Sequence, residues 1–405
     1  MRVKPAALLL STMLILSMSQ AAEFSYPGLG PKLTVGADNK VVLSYMEARG
    51  DEHALLYRIV GDSGPGEPVM VSQGSDWFVN WADFPSVQPM SGGLWVAHWL
   101  VRREAGGYAY DIHAATSVDG GQTWDKAFLL HDDGTDSEHG FVTLFPAGKN
   151  SFAVVWLDGR NMAAAQNETG HSAGAMTLRG GRFDQDGKVL VGDLIDNKTC
   201  DCCQTDVAIA AAGPVAAYRD RSDDEIRDIY VSRFIDGEWQ RGQPLHHDNW
   251  NIPGCPVNGP VIDAIGETVV VTWFTAALGS GLVQAKLSDN SGSDFGEPIT
   301  LSAEGVVGYV ASTLISADTA VSAWLCKADD RQNSICYRTI KKEGNVGPIQ
   351  MLQTGGIPAR MSVPQLATIC EQVLFVWTEK IDDGYQIKGM RVPFNALDAS
   401  ELAAN

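Results

Sequence analysis

The sequence predicts an all-β fold, a β-propeller of seven four-stranded blades, on two observations. First, seven short apolar runs each end in an aromatic residue with a polar or charged residue close behind it, and the aromatics recur every 51 to 62 residues. Second, other short apolar runs and Gly/Asp turns surround each of them, with little helical periodicity. Units of about 50 residues repeated in this way close into a ring that limits exposed strand edges. The seven aromatics are Tyr45, Trp99, Trp156, Tyr218, Trp273, Trp324 and Trp377.

Each unit is predicted to contain four strands, A to D, with the aromatic in strand B. In the fourth unit, for example, Thr205–Ala210 is the A strand and Ile226–Ile235 contains the C strand. The last unit has only three clear strands, which end near Val392. We expect Glu23–Leu29 to supply its fourth strand and to fasten the ring. A ring of six blades with a modified terminal unit is the alternative.

Residues 1–22 have the pattern of a secretory signal peptide. Arg2 and Lys4 precede the apolar stretch Ala6–Met18, and Ser19-Gln20-Ala21 forms a small-x-small cleavage pattern. No other run approaches the ~18 apolar residues that a membrane helix needs. The prediction is therefore an exported chain, secreted or periplasmic, in which residues 23–405 form a single propeller domain without a membrane span.

The net charge of -19 and the pI near 4.7 disfavour nucleic acid and anionic membrane surfaces as partners. We expect a monomer whose partner is an anionic small molecule or a glycan. In an up-and-down sheet the D–A and B–C loops share one face of the ring, and this is the face where ligands of such folds bind. The B–C loops begin directly after the aromatics and carry most of the candidate charges.

Arginines on these loops are candidates for binding an anion, because a guanidinium fork matches a carboxylate or sulfate. A carboxylate in a partly dry site can serve as a general acid. Solvated charges or ion pairs between blades are the alternative interpretation of the same residues. The ligand-binding candidates are Arg49, Arg160, Arg219, Arg221 and Arg360, and the catalytic candidates are Asp158 and Asp220.

Seven cysteines are present, and an oxidising compartment makes disulfides the default. Cys326 and Cys336 flank one hairpin and are expected to pair, whereas Cys370 is expected to be free. Cys200, Cys202 and Cys203 lie in the D–A loop before the fourth unit.

Cys255 lies in the neighbouring D–A loop, and we expect at least one disulfide between the two loops because the adjacent Cys202 and Cys203 pair with each other only under strain. The competing interpretations are a soft-metal site for copper or zinc, with His246 and His247 as further candidate ligands, and a redox-active thiol. No cofactor is otherwise indicated.

Ser117–Trp124, with the letters SVDGGQTW, matches the pattern S-x-D-x-G-x-T-W of an Asp box, and Ser288–Phe295 is a degenerate copy. With this motif between strands C and D, the chain resembles the sialidase-like (BNR/Asp-box) β-propellers. The motif is specific for a turn and much less so for an activity. Of the early Y/F-R-I-P motif of sialidases, only Tyr57-Arg58-Ile59 is present, with Val60 in place of the proline.

The resemblance implies an exported propeller that binds, and in an enzyme hydrolyses, an acidic glycan or another anionic ligand. An exo-alpha-sialidase-like glycoside hydrolase is the enzymatic form of this hypothesis. A non-catalytic propeller that binds a metal or a protein through its cysteine-rich loops is the alternative.

Overall fold

The computed structural model describes residues 23–162, 174–328, 332–352, 354, 357–358 and 362–399. These residues form seven antiparallel sheets, each with the strands in the order A-B-C-D. The prediction of seven blades is confirmed, and the alternative of six is wrong because the terminal unit is a complete sheet of its own. Residues 1–22, on which the signal-peptide prediction rests, lie outside the described part.

The strands of the first four blades have the following bounds. Blade 1 contains β2 (Leu29–Val35), β3 (Val41–Arg49), β4 (Glu52–Gly61) and an outer strand in two pieces, β5 (Gly64–Pro65) and β6 (Val69–Gly74). Blade 2 contains β7 (Ser86–Pro89), β8 (Trp95–Arg102), β9 (Tyr110–Ser117) and β10 (Phe128–Leu129). Blade 3 contains β11 (His139–Pro146), β12 (Ser151–Asp158), β13 (Met176–Asp184) and β14 (Val189–Thr199). Blade 4 contains β15 (Asp206–Ala210), β16 (Gly213–Arg219), β17 (Ile229–Ile235) and the divided outer strand β18 (Glu238–Trp239) and β19 (Gln243–Pro244).

The last three blades complete the ring. Blade 5 contains β20 (Val261–Ile265), β21 (Thr268–Thr275), β22 (Leu282–Ser288) and β23 (Ile299–Ser302). Blade 6 contains β24 (Val306–Ser316), β25 (Thr319–Lys327), β26 (Asn333–Lys341) and β27 (Gln350–Met351). Blade 7 contains β28 (Gln365–Ile369), β29 (Gln372–Ile381) and β30 (Gly384–Pro393), and its outer strand is β1 (Phe24–Pro27). A short 3-10 helix, Phe394–Ala396, follows β30.

The predicted aromatics lie in the second strand of each blade, where they are buried. Trp273 and Trp324 are fully buried, and Trp377 is 1% exposed. In a propeller both faces of an inner strand pack against neighbouring blades, so the B strands are apolar throughout rather than alternating; in β29, for example, every residue from Val373 to Glu379 is buried. Burial of one large aromatic side chain contributes about 2 to 3 kcal/mol, so each of these strands stabilises its blade.

The ring closes where β1 pairs with β30, as the sequence predicts. Phe24 lies opposite Gly389 in the register and Pro27 lies opposite Gln386. Gly389 is required here because a Cβ atom at this position would overlap the Phe24 ring. The N-terminal strand thus joins the two ends of the described chain in one sheet.

Polar side chains tie the innermost strands to one another around the channel. The Thr143 hydroxyl donates to the Thr205 carbonyl over 2.8 Å, and Asp206 accepts from the Ile262 amide over 3.0 Å. Asp263 repeats the pattern one blade further and accepts from the Leu314 amide over 2.8 Å. Burial raises the pKa of Asp263 to about 6. The inner strands of all seven blades line a cavity of about 270 Å³.

The turns between strands C and D of blades 2 and 5 fold in the same way. Ser117 Oγ accepts from the Gly121 amide over 2.9 Å, and Asp119 Oδ1 accepts from the Thr123 amide over 3.0 Å. In blade 5, Ser288 and Asn290 form the corresponding bonds, to the amides of Gly292 and Asp294. These turns lie at the opposite ends of the strands from the D–A and B–C loops.

Candidate functional site

The D–A and B–C loops of blade 3 bring charged side chains together at one face of the ring. Asp158 ends β12, and Arg160 follows in the B–C loop. His139 begins β11, and Arg179 lies near the start of β13. We call these residues, together with two from the preceding D–A loop, the blade-3 cluster: His131, Asp133, His139, Asp158, Arg160 and Arg179.

Asp158 is fully buried at the centre of this cluster. Its carboxylate accepts from Trp156 Nε1 over 2.9 Å and from two nitrogens of the Arg160 guanidinium over 2.7 Å each. Burial alone would raise the pKa of Asp158, but the hydrogen bonds from Arg160 and the charge of His139 outweigh it and lower the pKa. The side chain is therefore an anion held by an arginine, and it positions Arg160.

Two histidines that the sequence analysis did not select stack in this cluster. The rings of His131 and His139 lie 3.8 Å apart and nearly parallel, at 7°. Both contact Asp133 Oδ2 at 3.0 Å, His131 through Nδ1 and His139 through Nε2. Burial would raise the pKa of Asp133, but its close contacts with both rings and its hydrogen bonds from Thr135 hold the pKa well below its usual range.

Backbone carbonyls and carboxylates surround the His139 ring. Its Nδ1 atom lies 3.3 Å from the Tyr110 carbonyl and 3.2 Å from the Ser137 carbonyl, so it carries a hydrogen. Its buried Nε2 atom faces Asp133 in a close but poorly directed contact, with Asp158 Oδ1 at 3.8 Å. The ring is thus fixed between the backbone on one side and two carboxylates on the other.

The Arg179 guanidinium lies beside Arg160. Its Nε atom is 3.9 Å from Asp158 Oδ2, and this buried atom has no hydrogen-bond partner among the described residues. Burial and the charge of Arg160 lower the pKa of Arg179. Arg160 and Arg179 thus face the carboxylates of Asp133 and Asp158 within the blade-3 cluster.

A second group of acids lies next to this cluster. The Tyr110 hydroxyl is 3.0 Å from Asp83 Oδ2 and 2.9 Å from Glu138 Oε1. Asp83 also accepts from the Phe141 amide over 2.8 Å, and Gly140 permits this approach because a Cβ atom there would overlap the carboxylate. Burial raises the pKa of Asp83 to about 7 and that of Glu138 to about 8.

The geometry of this group requires a proton on one of the two acids. A hydroxyl has one hydrogen, so Tyr110 can donate to only one carboxylate; the other contact is a hydrogen bond only if that acid is protonated and donates to the Tyr110 oxygen. Glu138 has the higher pKa, and unlike Asp83 it is partly exposed. Glu138 is thus an acid that holds its proton near neutral pH.

Ion pairs extend the charged face from blade 3 to blade 4. Arg221 contacts Glu225 at 2.7 Å and Asp201 at 3.3 Å, and Arg227 contacts Glu225 at 2.8 Å. Hydrogen bonds from Arg221 lower the pKa of Glu225 to about 2. The negative charge of Asp201 contributes to the raised pKa of Glu138, which connects the two blades electrostatically.

Asp220 and Arg219 are consecutive but point into different surroundings. Asp220 is partly exposed, and burial together with the charge of Asp196 raises its pKa to about 7. Arg219 is 2% exposed, and its guanidinium donates to the carbonyls of Asn258, Arg227 and Phe274 over 2.6 to 3.0 Å. Those contacts favour a structural role for Arg219, and ligand binding by it stays a prediction.

The cysteines form one disulfide between the two D–A loops and one in the blade-6 hairpin, as expected, and the structure shows which cysteines pair. Cys202 is bonded to Cys255, 53 residues away, and Cys326 is bonded to Cys336. Cys370 is free and exposed.

Cys200 and Cys203 are free and buried, and their sulfurs lie 3.1 Å apart. Hydrogen bonding from Cys203 and the charges of Arg219 and Arg227 lower the pKa of Cys200 to about 6.

The remaining candidates lie apart from these groups. Arg49 is exposed on the B–C hairpin of blade 1 and pairs with Glu47 at 3.0 Å. Arg360 lies outside the described residues. His246 faces Asp248 at 3.9 Å, and neither His246 nor His247 joins the cysteine sulfurs in a group with metal-ligand spacing in the described part of the chain.

The fold and this face define the class of the protein: a seven-bladed β-propeller with arginines and acids on its D–A/B–C face. No family model matches the chain, and no curated protein matches it. In the described part of the chain, no helix combines the length and apolar character needed to cross a membrane.

Solved structures share the fold. The chain is similar to the Hadza microbial sialidase Hz136, with a TM-score of 0.51 and 14% identity over 85% of this chain and 74% of that one. It is also similar to the polysaccharide lyase Uly1, with a TM-score of 0.51 and 10% identity over 89% and 90%. An alpha-l-arabinofuranosidase from Fusarium graminearum has a TM-score of 0.47 and 11% identity over 91% and 94%. At these identities the likeness concerns the fold alone.

Proposed function

We propose that the protein binds an acidic glycan on its D–A/B–C face, with the carboxylate or sulfate group held by Arg160 and Arg179. The observation that carries this proposal is the Arg179 side chain, which is 23% exposed, lies beside a second guanidinium and has a buried Nε atom without a partner among the described residues. Its guanidinium is thus not fully paired within the protein, and a guanidinium fork matches a carboxylate or sulfate. The solved structures of a sialidase and a polysaccharide lyase with this fold make a glycan the expected class of ligand.

Catalysis extends the same proposal. Glu138 is partly exposed and holds a proton near neutral pH, so it can donate that proton to the glycosidic oxygen of a bound glycan. The Tyr110 hydroxyl then stabilises the carboxylate that remains. Asp220, with its raised pKa, is the second acid on the face and stays a catalytic candidate. An exported location fits the disulfides and belongs to this proposal.

A panel of oligosaccharides tests the proposal. Wild-type protein is titrated calorimetrically with uronate-containing, sialylated and sulfated oligosaccharides, and with neutral oligosaccharides of the same length. We expect heat of binding with at least one acidic member and none with its neutral counterpart. Equal binding of acidic and neutral members, or no binding to any acidic member, contradicts the proposal.

The catalytic extension has a separate readout. Release of product from the acidic oligosaccharide that binds is measured for wild type and for Glu138→Gln. Binding without turnover in the variant supports an acid role for Glu138. Turnover equal to that of wild type contradicts the acid role and leaves the binding proposal standing.

The alternative, a metal-binding propeller without catalysis, rests on three sulfurs, those of Cys200, Cys202 and Cys203, which lie within 4.8 Å of one another. Because Cys202 is bonded to Cys255, only two thiols remain for a soft metal. Elemental analysis of natively exported protein tests this alternative. About one equivalent of copper or zinc favours a metal-binding propeller, and a metal content below about a tenth of an equivalent excludes one.

A further inference from the structure

Four cysteines meet where the D–A loops before blades 4 and 5 come together. The Cys202–Cys255 disulfide joins the loops, and its Cys255 end is exposed whereas Cys202 is half-buried. The free thiols of Cys200 and Cys203 lie beneath, 0% and 2% exposed. The Sγ atoms of Cys200, Cys202 and Cys203 all lie within 4.8 Å of one another, so one disulfide sulfur is within reach of both thiols.

Cys200 is placed to act as a nucleophile. Arg227 Nη1 contacts its sulfur at 3.3 Å, and the guanidinium is itself held by Glu225 at 2.8 Å. Arg219 contributes a second positive charge nearby. Fixed guanidinium groups stabilise a thiolate, which is the reactive form of a cysteine. Buried cysteines in apolar surroundings have no such partners and are inert.

We propose that Cys200, Cys202, Cys203 and Cys255 form a thiol–disulfide relay between the exposed loop and a buried dithiol. In the first step the Cys200 thiolate attacks Cys202 Sγ; a Cys200–Cys202 bond forms, the Cys202–Cys255 bond breaks, and Cys255 leaves as a thiolate. In the second step Cys203, 3.1 Å from Cys200 in the structure, gives up its proton as it attacks Cys200 Sγ, and Cys202 is released as a thiolate.

These two steps conserve electrons. One disulfide is broken and one is formed, and the protons of Cys200 and Cys203 pass to the thiolates of Cys202 and Cys255. The relay then presents a reduced pair at the surface, and a small exported disulfide of the glutathione type can oxidise it by the same exchange chemistry. Once the Cys202–Cys255 bond breaks in the first step, the loop that carries Cys255 is no longer bonded to its neighbour. The relay therefore controls whether the two loops are joined.

Approach to equilibrium from two sides tests the relay. Anaerobic wild-type protein with one disulfide among the four cysteines is prepared in two ways. In the first, protein with all four cysteines in disulfides is partly reduced with tris(2-carboxyethyl)phosphine. In the second, protein with all four cysteines as thiols is partly oxidised with glutathione disulfide. Samples are quenched in acid, alkylated with N-ethylmaleimide and mapped by mass spectrometry. The Cys326–Cys336 disulfide is the internal control.

We expect the single disulfide to distribute between Cys202–Cys255 and Cys200–Cys203, at one ratio whichever preparation is used. In Cys203→Ser the exchange should stop at Cys200–Cys202 with Cys255 alkylated. In Arg227→Met it should slow by at least about tenfold at pH 7, because fewer Cys200 thiols are ionised, and Arg227→Lys should restore part of the rate.

Three results overturn the relay. The first is a single disulfide that keeps the pairing of its preparation. The second is an exchange rate in Arg227→Met equal to that of wild type. The third is a stoichiometric metal bound by Cys200 and Cys203 in protein isolated without chelator.

Discussion

Replacing Glu138 by glutamine tests the shared proton between Asp83, Tyr110 and Glu138. The glutamine amide can donate to the Tyr110 oxygen as the protonated carboxyl does, so the hydrogen bonds survive the change. The variant lacks the carboxyl that loses its proton as the pH rises. We therefore expect it to match wild type in stability at pH 5 and to exceed it at pH 9.

The magnitude follows from linkage between protonation and folding. The pKa of Glu138 rises from 4.5 to about 8 on folding, so the folded state binds more protons than the unfolded state between these values. Its contribution is fully present below pH 4.5 and is lost as the pH rises through 8. At about 1.4 kcal/mol per pH unit this is roughly 5 kcal/mol. Solvent screening of the partly exposed carboxyl reduces it to roughly 3 kcal/mol.

The assay is urea unfolding at pH 5, 7 and 9, followed by tryptophan fluorescence, for wild type, Glu138→Gln and the exposed control Glu104→Gln. The difference in unfolding free energy between wild type and Glu138→Gln should widen by roughly 3 kcal/mol from pH 5 to pH 9. The control should follow wild type. A difference that stays constant over this range would refute the protonated state assigned to Glu138.

Three further changes probe the scaffold. Arg219→Met should lower the free energy of unfolding by roughly 3 to 5 kcal/mol, because three buried carbonyls lose their donor; a thermal melt equal to that of wild type would show that these bonds contribute nothing. Cys202→Ser should lower the free energy of unfolding by about 4 kcal/mol, since the lost disulfide closes a loop of 53 residues. Urea unfolding measures this difference, and equal stability of variant and wild type would contradict the estimate. Phe24→Ala should cost roughly 3 kcal/mol and raise hydrogen exchange in β30 above that in β13; unchanged exchange would mean that β1 does not fasten the ring.

The repeat predicted the fold because every blade of a propeller needs a buried apolar second strand, so the same pattern recurs along the chain. Tyr45 and Trp377, at the two ends of the chain, occupy equivalent buried places in their blades. A disulfide between the loops of Cys202 and Cys255 was predictable for the same reason, since the repeat places these loops side by side, but the choice of Cys202 over Cys200 and Cys203 was not.

The candidate site was only partly predictable from sequence. His139 and Tyr110 are the first residues of their strands, where a single histidine or tyrosine gives no periodic signal. Their partners, such as Asp158 for His139 and Asp83 for Tyr110, are distant in the sequence. Arg179 was missed because it lies within a strand that the pattern assigned to the scaffold.

Arg219 illustrates the opposite case. Proximity to the ligand face suggested binding, but the side chain turns between blades 4 and 5, where the backbone carbonyls of three residues require a donor. The sequence gives the position of an arginine along a strand. Whether its side chain reaches the solvent depends on how the neighbouring blades pack, which the sequence pattern does not show.

The comparison of Arg179→Ala with Arg182→Ala tests the central claim most directly. Both arginines lie on β13, but Arg182 is exposed and lies outside the blade-3 cluster. The measurement is the calorimetric affinity of each variant for the acidic oligosaccharide that wild type binds best. The account predicts at least about a tenfold loss of affinity for Arg179→Ala and wild-type affinity for Arg182→Ala. Equal affinity of the two variants would contradict it.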